Sequence, residues 1–136
     1  MIRALLDTDA IIDYLKGIAS TIDFIRWLNQ QGNQLCVCAV VECEVQTGLP
    51  TEHRGHVAQL LDAMEYLHTP RRAARRAGDW RGAYRSQGIQ LSTTDCLIAA
   101  VAVEHGATLV TANVRHFPMP ELTLQPLPRA QGGAMR

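Results

Sequence analysis

The pattern of apolar and polar positions along the chain predicts strands and helices in alternation. Short apolar runs bounded by turn residues are typical of buried strands, and apolar residues spaced three and four apart are typical of helices. Strands are expected at residues 1–6, 34–41 and 107–111, with shorter ones at 65–68 and 122–124. Helices are expected at residues 10–16, 20–31, 41–47, 51–63, 71–87 and 93–105.

Strands that alternate with helices imply a parallel sheet that is covered on both faces. We therefore predict an α/β fold with three layers, α/β/α, built on a 4-5 stranded, mainly parallel sheet. Residues 1–128 are expected to form a single domain, and residues 129–136 a flexible C-terminal tail. The helix at 71–87 is expected to be interrupted or kinked around Gly78 and Gly82.

The amino-acid composition limits the classes of function that are compatible with this fold. The chain has 136 residues, of which 47% are hydrophobic, enough for one core. Thirteen basic and thirteen acidic residues cancel, so a nucleic-acid partner would need a local basic patch. The four cysteines form no Cys-x-x-Cys pair, which argues against zinc. Without a long apolar run or a signal-peptide pattern, a cytoplasmic location and no membrane partner are expected.

Acidic and amide side chains follow several of the predicted strands. Asp7 follows the first strand, Glu42 or Glu44 follows the second, Asp95 begins the apolar helix, and Asn113 follows the strand at 107–111. The carboxyl ends of parallel strands meet at one edge of a sheet. Three carboxylates gathered there could not all stay ionised without a cation, and hard oxygen ligands favour Mg²⁺ or Mn²⁺. A site of this kind suits attack of water on a phosphodiester.

The helix pattern separates the two glutamates. Val41, Glu44 and Val45 share one helical face, and the apolar side of that face must point inward. Glu44 is therefore expected to turn toward the site and Glu42 away from it.

Two further acids have a structural alternative. Asp95 ends the run Ser-Thr-Thr-Asp, which is typical of the first turn of a helix. An acid in this turn interacts favourably with the helix dipole, and that role does not exclude it as a metal ligand. Asp9 is interpreted either as the cap of the first helix or as a group that lies behind the ligands.

The predicted helix at 71–87 is rich in arginine and has weak apolar content. Trp80 and Tyr84 share one of its faces at a spacing of four. One interpretation is contact with an RNA backbone, with base stacking. The alternative is a solvated helix whose aromatic residues pack inward, and an acidic protein would suit the same charges. The candidate RNA-binding residues are Arg71, Arg72, Arg75 and Arg76.

Four segments carry a resemblance to a known family. They are LLDTDAIIDYLKG (5–17), EVQTG (44–48), GIQLSTTDCLIAA (88–100) and EHGATLVTANVRHF (104–117). Each segment is short, but in this order and spacing they make residues 2–125 resemble the PIN-domain ribonucleases. The closer resemblance is to the VapC-type toxins of type II toxin–antitoxin systems.

The resemblance implies a set of roles for the residues at this edge. It implies Mg²⁺ as cofactor, with Mn²⁺ able to substitute, and a catalytic, metal-binding set of Asp7, Glu44, Asp95 and, through a water molecule, Asn113. It implies neighbours behind these ligands, namely Thr8, Asp9, Thr111 and His116. The position of His116 is often acidic in this family, so the histidine departs from the family pattern. The number of metal ions, one or two, therefore stays open.

The activity that the resemblance implies is Mg²⁺-dependent endonucleolytic cleavage of RNA, with tRNA or rRNA as the expected target and 5′-phosphate and 3′-hydroxyl ends as products. It also implies a homodimer and a cognate VapB-like antitoxin as partner. Two alternatives stay open. One is a non-catalytic module that holds metal or RNA. The other is a phosphatase of the haloacid-dehalogenase type, suggested by Asp7-Thr8-Asp9 but lacking a late lysine, because Lys16 is the only lysine.

Overall fold

A computed structural model describes residues 1–128 of the chain. Its strands are β1 (Arg3–Leu6), β2 (Gln34–Cys38), β3 (Glu65–Leu67), β4 (Thr108–Thr111) and β5 (Thr123–Pro126). Its helices are α1 (Thr8–Leu15), α2 (Ala19–Gln30), α3 (Ala39–Thr47), α4 (Arg54–Asp62), α5 (Arg71–Ser86) and α6 (Thr93–Glu104). Short 3₁₀ turns occupy Thr51–His53 and Val114–His116. The tail predicted at residues 129–136 lies outside the described residues.

All neighbouring strands of the sheet are parallel, in the order β3-β2-β1-β4-β5. The chain moves from β1 through β2 to β3, and then returns to place β4 on the other side of β1. The order therefore reverses between β1 and β4. In open α/β sheets such a switch point opens a crevice beyond the carboxyl ends of the strands, where ligands bind.

Burial in the core explains why these segments form a strand and a helix. Ala4, Leu5 and Leu6 of β1 are fully buried, as expected for a central strand covered on both faces. Helix α6 is apolar on nearly all sides, and a run from Ile98 to Ala102 has no exposed surface. The three-layer α/β/α architecture and the mainly parallel sheet are confirmed, and the sheet has five strands.

The boundaries differ from the expected ones at the ends of strands. Helix α1 begins at Thr8, two residues before the predicted start, because Asp7 caps it. Strand β2 ends at Cys38 and α3 begins at Ala39, so the predicted continuation of the strand to residue 41 is wrong. An apolar run alone does not separate a buried strand from the first turn of a buried helix.

The predicted interruption of the arginine-rich helix is wrong. Helix α5 runs without a break from Arg71 to Ser86, through Gly78 and Gly82. Glycine costs about 1 kcal/mol relative to alanine within a helix, but tertiary packing commonly overrides propensity. Here Ala73, Ala77 and Trp80 are buried, which holds the helix together. Within residues 1–128, none of the helices has the length and apolar character needed to cross a bilayer.

Candidate active site at the carboxyl edge of the sheet

The centre of the site is Asp7, which ends β1 and caps α1. Its side chain is only 6% exposed. Oδ1 accepts a hydrogen bond from the Thr8 backbone N–H at 2.8 Å, and Oδ2 accepts one from the Thr111 hydroxyl at 2.7 Å. Thr111 ends β4, so the two strands at the switch point are joined through this carboxyl group.

Burial and nearby acids raise the pKa of Asp7 from 3.8 to about 6. The largest cause is removal from water, followed by the negative charge of Asp9, with a smaller contribution from Asp95. Hydrogen bonds from Thr111 and Thr8 act in the opposite direction and lower the pKa. The carboxyl group is thus held in place by donors that favour its charged form, in surroundings that disfavour that charge.

Asp9 links the start of α1 to the segment that follows β4. Its Oδ2 accepts a hydrogen bond from the Ala112 backbone N–H at 3.1 Å and another from the Asn113 side-chain amide at 2.8 Å. The interpretation of Asp9 as the helix cap is wrong, because Asp7 has that role. Asp9 instead binds the Asn113 side chain beside the switch point, and the alternative that it lies behind metal ligands stays a prediction.

Glu44 approaches the same edge from α3. Its Oε1 accepts a hydrogen bond from the Thr8 hydroxyl at 2.6 Å. Thr8 therefore contacts Glu44 through its hydroxyl and Asp7 through its backbone, and so ties the two acids together. Glu42 is also half-buried, so exposure does not separate the two glutamates.

Asp95 lies in the first turn of α6, where its backbone N–H donates to the capping Ser92 hydroxyl at 3.1 Å. Its side chain is 26% exposed, and Oδ2 lies 3.5 Å from His116 Nδ1. Asp95 therefore lies in the first turn of the helix and also close to the other acids, because its negative charge raises the pKa of Asp7.

The donor set at this edge fits a divalent cation by its chemistry. Asp7, Glu44, Asp95 and Asn113 offer carboxylate and amide oxygens, the ligands that Mg²⁺ and Mn²⁺ prefer. A cation would also relieve the cost of a buried carboxylate among other acids. In residues 1–128, however, no three acidic, histidine or cysteine side chains already stand in a metal-holding arrangement. The metal roles of these residues stay a prediction.

The predicted RNA-binding arginines lie away from this edge. Arg72 and Arg76 bind Glu104, the last residue of α6, at 3.1 and 3.0 Å. Because a helix rises about 1.5 Å per residue, Glu104 is about 14 Å along α6 from Asp95. The Arg76 guanidinium also lies 5.7 Å from the centre of the buried Trp80 ring. Two of the four arginines thus serve helix packing, and their contact with RNA stays a prediction, as it does for Arg71 and Arg75.

Two contacts that support the site were missed in the sequence. The Arg81 guanidinium donates to the Leu91 carbonyl oxygen at 3.0 Å, just before the cap of α6. The Tyr84 hydroxyl donates to the Pro118 carbonyl oxygen at 3.2 Å, just after the turn that carries His116. The four-residue spacing of Trp80 and Tyr84 shows that they share a helical side, but no local signal reveals which distant backbone they meet.

Comparison with known proteins identifies the class. Residues 4–119 match the family model of the PIN domain. The chain therefore belongs to the PIN-domain family. Within it the chain is a member of the VapC group, because it is 34% identical over 115 residues to ribonuclease VapC10 of Mycobacterium tuberculosis. That match covers 85% of this chain and 86% of the relative. Ribonuclease VapC19 of the same species is 30% identical over 115 residues, which cover 85% and 92% of the two chains.

Solved structures agree with the fold. A chain in the crystal structure of VapBC2 from Rickettsia felis bound to a promoter DNA fragment superposes with a TM-score of 0.81 at 23% identity, covering 92% of this chain and 98% of the other. A chain of VapBC-1 from nontypeable Haemophilus influenzae gives 0.80 at 23% identity, covering 93% and 98%. The family match decides against the haloacid-dehalogenase alternative.

Proposed function

We propose that this protein is a metal-dependent endoribonuclease and the toxin of a toxin–antitoxin pair. The observation that carries the proposal is Asp7, a buried carboxyl group at the switch point whose pKa is raised to about 6 among other acids. Strongly perturbed acids in a crevice are typical of functional sites. Support for the type of reaction comes from the relatives, which are named ribonucleases.

In the proposed mechanism, Asp7, Glu44 and Asp95 would hold a Mg²⁺ or Mn²⁺ ion, and Asn113 would contribute through a water molecule. Such an ion, when bound, would supply an activated water and stabilise charge on the phosphate oxygens. Hydrolysis would form a bond from the water oxygen to phosphorus and break the bond from phosphorus to the 3′ oxygen, which takes up the proton, so that 5′-phosphate and 3′-hydroxyl ends result.

The hydroxyl groups around the acids have an orienting role in this mechanism. Thr111 fixes one oxygen of Asp7, and Thr8 fixes Glu44. Asp9 fixes the amide of Asn113. Because these donors are in place before any ligand arrives, little reorganisation is needed to bring the acids to a cation.

The partners of the protein are part of the proposal. The structural neighbours include VapBC complexes, which supports a VapB-like antitoxin for this chain. We also propose a homodimer, with a mass of about 30 kDa from two chains of 15.0 kDa, which light scattering on the purified protein would measure. The proposed substrate is a structured RNA, either tRNA or rRNA, and sequencing of new 5′-phosphate ends in treated total RNA would identify it.

The test of the activity compares the wild type with Asp7→Asn on total RNA in Mg²⁺, in Mn²⁺ and in EDTA. Asparagine has the shape of aspartate and is an equally good helix cap, so the fold should be preserved. We expect cleavage by the wild type with either metal and none with EDTA. The variant should lose about 10³-fold or more in rate, because a neutral amide holds a divalent cation poorly.

Asp23→Asn is the matched control, because Asp23 is an exposed acid of α2. It should cleave like the wild type. Cleavage that survives EDTA, or equal cleavage by Asp7→Asn, would show that the acidic edge is not a metal-dependent nuclease site. Metal binding without turnover in the wild type would instead favour the non-catalytic module. The 3.5 Å contact between His116 and Asp95, at a position where the family often has an acid, is the observation that keeps this alternative in view.

A further inference from the structure

The acidic edge must accept a negatively charged substrate if the proposed function is correct. Asp7, Asp9, Glu44 and Asp95 all repel a phosphodiester backbone, and the net charge of the chain is zero. Nucleic-acid affinity comes mainly from positive groups that neutralise phosphates. The proposed divalent cation would offset this charge at the acids themselves, but the neighbouring phosphates need cations of the protein, and Arg72 and Arg76 are occupied at the far end of α6.

Arg115 lies where such a cation is required. It is exposed and lines a depression of about 320 Å³ formed by residues 112–116. Asn113 and His116 line the same depression, and His116 lies 3.5 Å from Asp95. The depression is therefore contiguous with the acidic site.

The turn that carries Arg115 is held on several sides. The His116 backbone N–H donates to the Asn113 carbonyl oxygen at 2.9 Å. Asp9 anchors the start of the segment through the Ala112 backbone N–H. At its end the side chain of Phe117 is 3% exposed. An arginine on an anchored turn loses less conformational freedom on binding than one on a free loop.

The guanidinium of Arg115 forms no ion pair with the part of the chain that the structure describes. Within residues 1–128 no carboxylate oxygen lies within 4.0 Å of it, in contrast to Arg3, Arg72 and Arg76. Arg81 differs again, since it donates to the Leu91 carbonyl oxygen. Among the described residues, Arg115 is thus a cation without a carboxylate partner, and it lines the depression beside the site.

We propose that Arg115 binds a phosphodiester group of the RNA substrate in this depression, next to the acidic site. The inference rests on the proposed function and extends it by naming the residue that receives the backbone. Arginine suits this role because its planar guanidinium forms two parallel hydrogen bonds with phosphate oxygens, which lysine cannot do. The contact would place the neighbouring phosphodiester at the acids while offsetting their repulsion.

The test measures binding of a fluorescein-labelled, single-stranded RNA of mixed sequence by anisotropy, in EDTA and over a series of salt concentrations. Arg115→Ala should weaken binding by about tenfold and lower the slope of log affinity against log salt by about 0.7, because one phosphate contact is lost. Arg115→Lys should keep most of the salt slope and recover part of the affinity, since the charge remains but the two-pronged geometry does not.

Arg26→Ala is the matched control, because Arg26 is an exposed arginine of α2 and belongs to none of the candidate RNA-binding residues. It should bind RNA like the wild type. Equal binding by Arg115→Ala and the wild type, or an equal loss in Arg26→Ala, overturns the inference. The thermal midpoints of all variants should agree, because the substituted side chains are exposed.

Cleavage of total RNA in Mg²⁺ separates this inference from the proposed function. EDTA-sensitive cleavage by the wild type, together with unchanged binding by Arg115→Ala, rejects the role of Arg115 and leaves the nuclease in place. A wild type that neither binds nor cleaves RNA rejects both. If the inference is correct, Arg115→Ala should raise KM with little change in kcat, because it removes binding energy and leaves the acids intact.

Discussion

At the C-terminal end of α6, the acid Glu104 meets two arginines, at 3.1 Å and 3.0 Å. At the N-terminal end of the same helix, Asp95 shares its surroundings with Asp7 and Asp9. The first end neutralises its negative charge with groups of the fold itself. At the second end several acids lie together, and the contacts of their side chains within residues 1–128 include hydroxyl and amide donors and the His116 imidazole, 3.5 Å from Asp95. Whether an acid has an arginine partner within the fold, and not the number of charged residues nearby, therefore distinguishes a packing contact from a site that can bind a cation.

The largest expected effect on stability is a dependence on pH that comes from Asp7. Its folded pKa of about 6 lies above its ordinary value of 3.8. The folded protein therefore holds the proton more tightly, and stability falls as the pH rises between these values. In EDTA, the unfolding free energy attributable to Asp7 should decrease by about 2–3 kcal/mol from pH 4 to pH 7. Urea unfolding measured across this range checks it.

The variant Asp7→Asn isolates that contribution, since asparagine does not titrate. The difference in unfolding free energy between variant and wild type should grow as the pH rises from 4 to 7, with the variant gaining. Asp23→Asn should run parallel to the wild type. A difference that stays constant with pH would mean that the pKa of Asp7 is not raised in the folded protein. The contrast between the two ends of α6 would then lose its physical basis.

Glu104→Gln should produce the next largest effect, on stability alone. The glutamate side chain is 9% exposed, and its loss leaves Arg76 without a charged partner. The cost should be about 2 kcal/mol, less than for a fully buried pair because Arg72 is exposed. RNA cleavage should not change. Urea unfolding and a cleavage assay on the same protein test this prediction. A loss of cleavage without a loss of stability would show that Glu104 serves the activity and not the packing of the helix.

Thr111→Val should give the smallest effect on stability. It removes the hydroxyl that donates to Asp7 and accepts from the Asn113 backbone N–H at 3.0 Å. We expect a loss of about 1–2 kcal/mol at pH 7. The loss should be smaller at pH 4, where Asp7 is protonated and needs the donor less. Thr111→Ser keeps the hydroxyl and should restore most of both stability and cleavage, whereas an equal loss in both variants would assign the effect to packing.

Much of the fold could be predicted, because its signals are local. The apolar run that ends at Asp7 and the apolar helix after Ser92 each carry a periodicity that one stretch of sequence reveals. Parallel pairing then follows from alternation and brings the ends of β1 and β4 together. The errors lie where two local signals compete, as at Ala39, where an apolar strand passes directly into a helix, and at Gly78 and Gly82, where burial of neighbouring residues outweighs glycine propensity.

The candidate site was less accessible to sequence reasoning, because its contacts join residues about a hundred positions apart. The bond from Asn113 to Asp9 and the bond from Thr111 to Asp7 depend on the register of β1 against β4. Contact with RNA was one interpretation of the arginines that cluster in sequence, and the sequence does not show that Glu104 binds two of them. The isolated Arg115 carries no such clustering, and only its position beside the acids draws attention to it.

We propose above all that the acids at the carboxyl edge of the sheet hold a divalent cation. Calorimetric titration of the protein with Mn²⁺ at pH 6 and pH 8, in buffers of different ionisation enthalpy, tests it directly. Because Asp7 has a pKa of about 6, binding should release about half a proton per metal at pH 6 and almost none at pH 8. Asp7→Asn should bind much more weakly and release no such proton. Absence of binding by the wild type, or identical binding and proton release by the variant, would contradict the proposed metal site.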